Sequence, residues 1–89
     1  MKTATATTPR RQVQRFACLM EEILARNDHK GGWELETDDY LLARLQQEVA
    51  ELVRAVERVH FGSHSTQEIC HEAADVANFA MMIADRFRK

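Results

Sequence analysis

The chain has 89 residues, a formal net charge of −2 and 45% hydrophobic residues. A chain of this length forms one domain, and its charge gives no general reason to expect nucleic acid or an anionic membrane as a partner. Two cysteines are too few for a disulfide framework. No apolar run reaches the roughly 18 residues that span a bilayer, and the N-terminus lacks the apolar centre of a signal peptide, so we expect a cytoplasmic protein.

The first eight residues, MKTATATT, are small and polar, and we expect segment 1–8 to be disordered. Residues 9–89 are expected to form a single all-α domain. Thr8 is the predicted N-cap of a first helix, with Pro9 as its first residue. Apolar residues then repeat at three- and four-residue steps, which predicts an amphipathic helix to about Asn27.

Two further helices follow a loop, NDHKGGWELETDD, whose adjacent glycines interrupt the helical pattern. Thr37 or Asp38 is the predicted cap of the second helix, whose leucines and valines form an apolar stripe to about His60. Ser65 and Glu68 form a predicted capping box for the third helix, which continues to the C-terminus.

The short turn FGSHS between these two helices predicts an antiparallel hairpin. Three helices in a short chain leave apolar stripes, such as that of the first helix, partly uncovered, because a small domain buries only a modest fraction of its surface. We therefore expect a helical bundle that dimerisation completes.

A pair of carboxylates flanks the apolar stripe on each hairpin helix. At roughly 100° per residue, Glu48 and Glu51 lie to the same side of their stripe as Glu72 and Asp75 do of theirs. The antiparallel hairpin would bring the two pairs to a similar height. Convergent carboxylates repel one another and lose hydration unless they are protonated, paired with cations or bound to a metal.

Hard divalent cations choose oxygen ligands, so this spacing predicts a Mg²⁺ or Mn²⁺ site on a helical bundle. The alternative is that both acid pairs are ordinary solvated surface residues.

The residues QEVAEL, a gap of twenty residues after Glu51 and EAADVANFAMMIAD together resemble the MazG-like nucleotide pyrophosphohydrolases of the all-α NTP pyrophosphatase group. The pattern of that family is E-E-x-x-E followed by E-x-x-D, and HKGGW resembles a loop of its short phage- and cassette-type members. The likeness covers about residues 29–87. It implies a helical homodimer that hydrolyses a nucleoside triphosphate to the monophosphate and pyrophosphate with Mg²⁺. The sequence leaves open whether the dimers form a tetramer.

Carried over by position, the resemblance implies that Glu48, Glu51, Glu72 and Asp75 are the metal ligands and catalytic residues. Glu48 or Glu51 is the expected proton acceptor from the attacking water. Gln47 departs from the family pattern, because it stands where the motif often has its first glutamate. The helix count points Gln47 away from the metal side, so its presence bears on the rate or on a second metal more than on the fold.

Four further residues are candidate substrate contacts. Lys30 could pair with a phosphate and Trp33 could stack on a base, or they are a solvated lysine and a hydrophobic lid on the bundle. Arg44 could offset the acids or hold phosphate, and a surface ion pair is the expected role of Arg86. Asn78 could bind a sugar or base, or be a polar core residue with a satisfied partner.

The competing function is a non-catalytic helical dimer that acts as a nucleotide-binding or regulatory module. Gln47 and the short chain favour this alternative, whereas the four retained acids favour the enzyme.

Overall fold

The computed structural model describes residues 7–62 and 66–88. These residues form three α-helices and one short 3-10 turn: α1 Arg11–Arg26, the turn Asp28–Lys30, α2 Asp38–His60 and α3 Thr66–Phe87. The described part of the chain contains no strand, so the all-helical prediction is confirmed. The start of the expected disordered segment and the predicted cap residue Ser65 lie outside the described residues. Each helix of the described chain is too short or too polar to cross a bilayer.

The start of α1 differs from the prediction that Thr8 caps the helix and Pro9 begins it. The N-cap is Arg10, whose backbone is extended and whose side chain makes no capping hydrogen bond. The side chain of Gln14 donates to the carbonyl of Pro9, while the backbone N–H of Gln14 bonds the carbonyl of Arg10 at 3.0 Å. The carbonyl of Pro9 is thus satisfied by a side chain, and the helix begins after it.

The start of α2 agrees with the prediction from the sequence. Thr37 is the N-cap, and its hydroxyl oxygen accepts a hydrogen bond from the N–H of Tyr40 at 3.1 Å. Asp38 and Asp39 place negative charge in the first turn, where the helix dipole favours it. The helix therefore has a well-defined beginning just after the loop.

Helix α3 lies at the centre of the fold, because it packs against both α2 and α1. Ala55 of α2 and Ala74 of α3 are completely buried. Because the alanine side chain is small, its full burial on both helices indicates a close approach of the two backbones. Asn78 of α3 donates from Nδ2 to the carbonyl of Met20 at 3.2 Å, which ties α3 to α1.

Part of the apolar stripe of α2 faces away from α3. Leu42, Val49 and Val53 belong to the predicted apolar stripe of α2 and are between 42% and 49% exposed. Leu41, one residue from this group, is 1% exposed. The stripe is therefore wider than the surface that α3 covers.

Candidate metal and ligand site

Three of the four predicted acids come together on the hairpin. One carboxylate oxygen from each of Glu48, Glu72 and Asp75 lies within 4.8 Å of the others. Glu48 comes from α2, and the other two lie one turn apart on α3, so the packing of α2 on α3 creates the group. All three residues are partly buried, and the side chain of Glu48 is only 12% exposed. We call these three residues the acid cluster.

Glu51 is not a member of the acid cluster. Its Oε1 forms an ion pair with Arg54 at 3.3 Å, and its side chain is 47% exposed. It lies one turn after Glu48 on α2, as the sequence requires, but its carboxylate turns toward a neighbour on its own helix. The structure therefore does not bring all four predicted ligands to one point.

The acid cluster is electrostatically unfavourable without a cation. Burial raises the pKa of Glu48 above its ordinary value of 4.5, and the negative charge of Asp75 raises it further. Burial also raises the pKa of Glu72, with Asp75 and then Glu48 and Glu51 adding to the effect. Desolvation and like charge both disfavour the ionised form, so each carboxylate holds its proton more tightly than in water.

The pKa of Asp75 is also raised, but neighbouring cations partly offset the effect of burial. Burial raises its pKa above the ordinary value of 3.8, whereas His71 and Arg44 act in the opposite direction. Arg44 also lowers the pKa of Glu48, although burial and Asp75 outweigh it there. The positive charge nearest to the cluster therefore does not neutralise it.

Arg44 is the side chain that joins the acid cluster to the cleft beside it. Its Nη2 forms an ion pair with Oε2 of Glu48 at 3.0 Å, and its Nη1 donates to Oε1 of Gln47. Its guanidinium also lies over the ring of Phe79, 5.0 Å from the centroid. Gln47, expected to point away from the metal side, is exposed and contacts Arg44 rather than an acid.

A cleft of about 430 Å³ opens beside these residues, between the end of α1, the loop and the hairpin. It is lined by two members of the acid cluster and by all four predicted substrate contacts: Glu48, Asp75, Lys30, Trp33, Arg44 and Asn78. Residues that are far apart in the sequence thus border one concave surface, which is the usual form of a small-molecule site.

The loop reaches the cleft through the turn that contains Lys30 and Gly31. The N–H of Lys30 bonds the carbonyl of Asn27 at 2.9 Å, which closes the 3-10 turn. Gly31 then has a φ of 90°, in the left-handed region that favours glycine. This conformation places the exposed Lys30 beside the cleft and returns the chain toward Trp33.

Trp33 is attached to the end of α3. Its Nε1 donates to Oδ2 of Asp85 at 3.1 Å, and its side chain is half-buried. Arg86 pairs with Asp38 at 2.6 Å and also donates to the carbonyl of Glu34 at 3.4 Å. Arg86 therefore has the ion-pair role expected of it, and both contacts help to position the loop.

Asn78 combines features of the two roles proposed for it. It is 3% exposed, and its Nδ2 is used in the bond to Met20 that ties α1 to α3. Its buried Oδ1 has no hydrogen-bond partner among the described residues. A buried carbonyl oxygen without a partner is costly, so this side chain has an unmet capacity to accept one hydrogen bond.

The sequence analysis missed two residues that shape the site. Phe79 lies four residues after Asp75, and helical spacing alone could have placed both on one face of α3. Asp85 is 52 residues from its partner Trp33, and no local pattern connects the two. A contact between a loop and a distant helix end depends on the tertiary fold.

The donor set fits a hard divalent cation. Mg²⁺ binds oxygen ligands octahedrally at about 2.0–2.1 Å, which places neighbouring ligand oxygens about 3 Å apart and opposite ones about 4 Å apart. The oxygens of the acid cluster lie within 4.8 Å of one another, close to that range. Three carboxylates would leave coordination positions for water and phosphate, the ligands that Mg²⁺ usually retains.

No protein-family model, curated protein or solved structure matches the chain.

Proposed function

We propose that this chain is a Mg²⁺-dependent nucleoside triphosphate pyrophosphohydrolase of the MazG-like type. The observation that carries the proposal is the convergence of Glu48, Glu72 and Asp75 at the edge of a cleft. Cationic and aromatic side chains line the same cleft, among them Arg44 and Trp33. A nucleotide needs both kinds of contact, because its phosphates are anionic and its base is planar.

In this proposal the triphosphate lies at the acid end of the cleft and the nucleoside at the loop end. Arg44 and Lys30 contact phosphate oxygens, since both are cations on the cleft wall. The base lies toward Trp33, and Asn78 lines the same cleft, where a small shift of the cleft wall would open its buried Oδ1 to a hydrogen bond from the nucleoside. The cleft volume of about 430 Å³ is in the range of small-ligand pockets.

The reaction requires that water attack the α-phosphorus while the bond to the β-phosphate oxygen breaks and pyrophosphate leaves. A bound Mg²⁺ or Mn²⁺ would polarise the phosphorus and neutralise charge on the leaving group. Glu48, Glu72 and Asp75 would hold the cation. Glu48 or Glu51 would accept the proton from the attacking water, and Glu51 would first have to leave Arg54 and turn toward the acid cluster.

The test is a pyrophosphate-release assay with purified protein, Mg²⁺ or Mn²⁺ and a panel of NTPs and dNTPs. We expect turnover that EDTA abolishes and excess metal restores. The enzyme proposal fails if no nucleotide releases pyrophosphate, and the metal site fails as well if Glu72→Gln leaves the affinity for Mn²⁺ unchanged.

A second candidate function is a nucleotide-binding module without catalysis. Gln47 stands in place of the glutamate of the family pattern, and Glu51 is paired with Arg54 rather than aimed at the acid cluster. Both observations fit a protein that binds a nucleotide and metal without turning the nucleotide over. The same assay distinguishes the two, since this alternative predicts saturable nucleotide binding and no pyrophosphate.

We also propose that the chain acts as a homodimer through the outer face of α2, with a tetramer as a further possibility. Leu42, Val49 and Val53 recur at helical spacing and are each more than 40% exposed. The buried apolar core of the described residues is small: Ile23, Leu41, Ala55 and Ala74. Covering the outer stripe with a second copy would enlarge a core that is marginal for one chain.

Sedimentation of Val49→Lys against Ala43→Lys tests the dimer. Both variants add a lysine to α2 at an exposed position, but Ala43 lies about 100° away from the stripe. We expect the Val49 variant to sediment as a monomer at micromolar concentration and the Ala43 variant to behave like the wild type. Identical sedimentation of both variants would argue against this interface.

A further inference from the structure

We propose that Arg44 is an internal counter-ion of the acid cluster, which lowers the affinity for metal until a phosphate ligand draws it away from Glu48. This inference rests on the proposed function, and it adds a means by which ligand and metal binding are coupled.

The first observation is the pairing of Arg44 with Glu48. Nη2 lies 3.0 Å from Oε2, and the two side chains are 33% and 12% exposed. Glu48 belongs to the acid cluster, so one of its two oxygens already has a cationic partner. A divalent cation that binds the cluster must compete with the charge of Arg44 and with its hydrogen bond.

The second observation is that Arg44 has two further supports outside the acid cluster. Nη1 donates to Gln47, and the guanidinium lies over the ring of Phe79. Neither contact uses a negatively charged group. If Arg44 left Glu48, these contacts would keep it on the wall of the cleft, where Phe79 and Arg44 are neighbours.

A phosphate group is the natural alternative partner for this guanidinium. Arginine binds phosphate through paired, charge-assisted hydrogen bonds, in the same way that it binds a carboxylate. When phosphate takes Arg44, both oxygens of Glu48 become available to the metal. Phosphate and metal should therefore bind cooperatively, beyond the direct attraction between them.

Gln47 is one of the two contacts that keep Arg44 on the cleft wall in this scheme. A glutamate at position 47 would offer Arg44 a second carboxylate and add another negative charge to this side of α2. The amide of Gln47 accepts a hydrogen bond from Arg44 but carries no charge. Glu48 is therefore the one carboxylate on α2 that competes with phosphate for Arg44 in this scheme. The departure from the family pattern thus has a physical role.

The first measurement is the affinity for Mn²⁺ without nucleotide, read from the electron paramagnetic resonance signal of free Mn²⁺. We expect Arg44→Gln to bind Mn²⁺ about three- to tenfold more tightly than the wild type, because the substitution frees Glu48 from an ion pair and also removes a cation that repels Mn²⁺. Arg86→Gln is the matched control, because it removes the same charge from a pair with Asp38 outside the cluster. Its affinity should stay within about twofold of the wild type.

The second measurement is the affinity for an α,β-imido nucleoside triphosphate, with and without Mn²⁺. The gain in analogue affinity on adding Mn²⁺ should be about three- to tenfold smaller in Arg44→Gln than in the wild type. The complex of Mn²⁺ with free analogue is the same for every variant and cancels in the comparison. Arg44→Lys retains the charge, so its Mn²⁺ affinity should be close to that of the wild type.

Unchanged or weaker Mn²⁺ binding by a folded Arg44→Gln would overturn this inference while leaving the metal site in place. Mn²⁺ binding by Arg44→Lys as tight as that by Arg44→Gln would also overturn it. If Glu72→Gln binds Mn²⁺ as tightly as the wild type does, or if the wild type binds no Mn²⁺, the proposed metal site fails as well. Should Arg44→Gln not fold, the NMR resonance of the Arg44 Nε–H in the wild type supplies the test. This resonance must shift when the analogue binds, and an unchanged resonance would overturn the inference.

Discussion

The acid cluster and the loop across the cleft from it are held in position by different means. Glu48, Glu72 and Asp75 are carried by α2 and α3, so their places depend on the register of two long, well-packed helices. Lys30 and Trp33 are carried by an exposed connection between α1 and α2. The geometry of the acid cluster is set by the packing of the two helices, whereas the position of the loop depends on a few side-chain contacts.

Those contacts all lead to the end of α3. Trp33 donates to Asp85, and Arg86 holds both the carbonyl of Glu34 and the carboxylate of Asp38. Each is a single polar contact at a partly exposed position, where such interactions contribute modestly. We therefore expect changes in the acid cluster to affect the chemical step and changes in the loop contacts to affect ligand affinity.

The largest effect is expected from Glu72→Gln. Loss of one carboxylate from the acid cluster should reduce kcat by about a hundredfold or more, because the cation that stabilises developing charge loses a ligand. The helices should remain intact by circular dichroism, since Glu72 supports no other described contact of the fold. Pyrophosphate release under saturating nucleotide measures the change.

Glu57→Gln is the control for this substitution, because Glu57 is an exposed acid on α2 outside the cluster. Its kcat should equal that of the wild type. Equal losses in both variants would show that the effect is not specific to the acid cluster.

A smaller effect is expected from Asp85→Ala, which releases the indole of Trp33. The substitution should raise KM about three- to tenfold with little change in kcat, because it loosens a ligand contact without touching the acids. Steady-state kinetics measure both constants, with Glu21→Ala as a control for loss of an exposed acid on α1. A fall in kcat at constant KM would mean that the loop acts on the chemical step after all.

The smallest effect is the pH dependence of stability without metal. Glu48, Glu72 and Asp75 have raised pKa values, so the folded chain retains protons that the unfolded chain releases. Their contribution is favourable below the ordinary carboxyl pKa values and is lost as the pH rises through the raised ones. In EDTA, Glu72→Gln should therefore gain Tm over the wild type as the pH increases from about 4 to 7, by about 2–6 °C.

Thermal unfolding in EDTA across this pH range supplies the measurement, and saturating Mg²⁺ should reduce the difference between the two proteins. A Tm difference that is constant with pH would contradict the prediction, because it would show that the charge of the acid cluster does not affect the stability of the fold.

The helices and much of the site could be predicted from the sequence, because both depend on short-range periodicity. The E-x-x-E and E-x-x-D spacings put each acid pair on one face of its helix, and the short connection implied a hairpin. The same reasoning suggested that Glu51 would join the other acids. It did not, because a rotamer choice and the neighbouring Arg54 decide where that carboxylate points.

The sequence by itself determined the three helices, a cap for α2 at Thr37 or Asp38 and the side of the hairpin on which the acids lie, because these follow from the turn of a helix and from local hydrogen bonding. Only the tertiary structure decided that Arg44 rests between Glu48 and Phe79, that Trp33 is held by Asp85 and that part of the apolar stripe of α2 faces outward. These features join residues from different elements, and their geometry depends on how closely the helices pack.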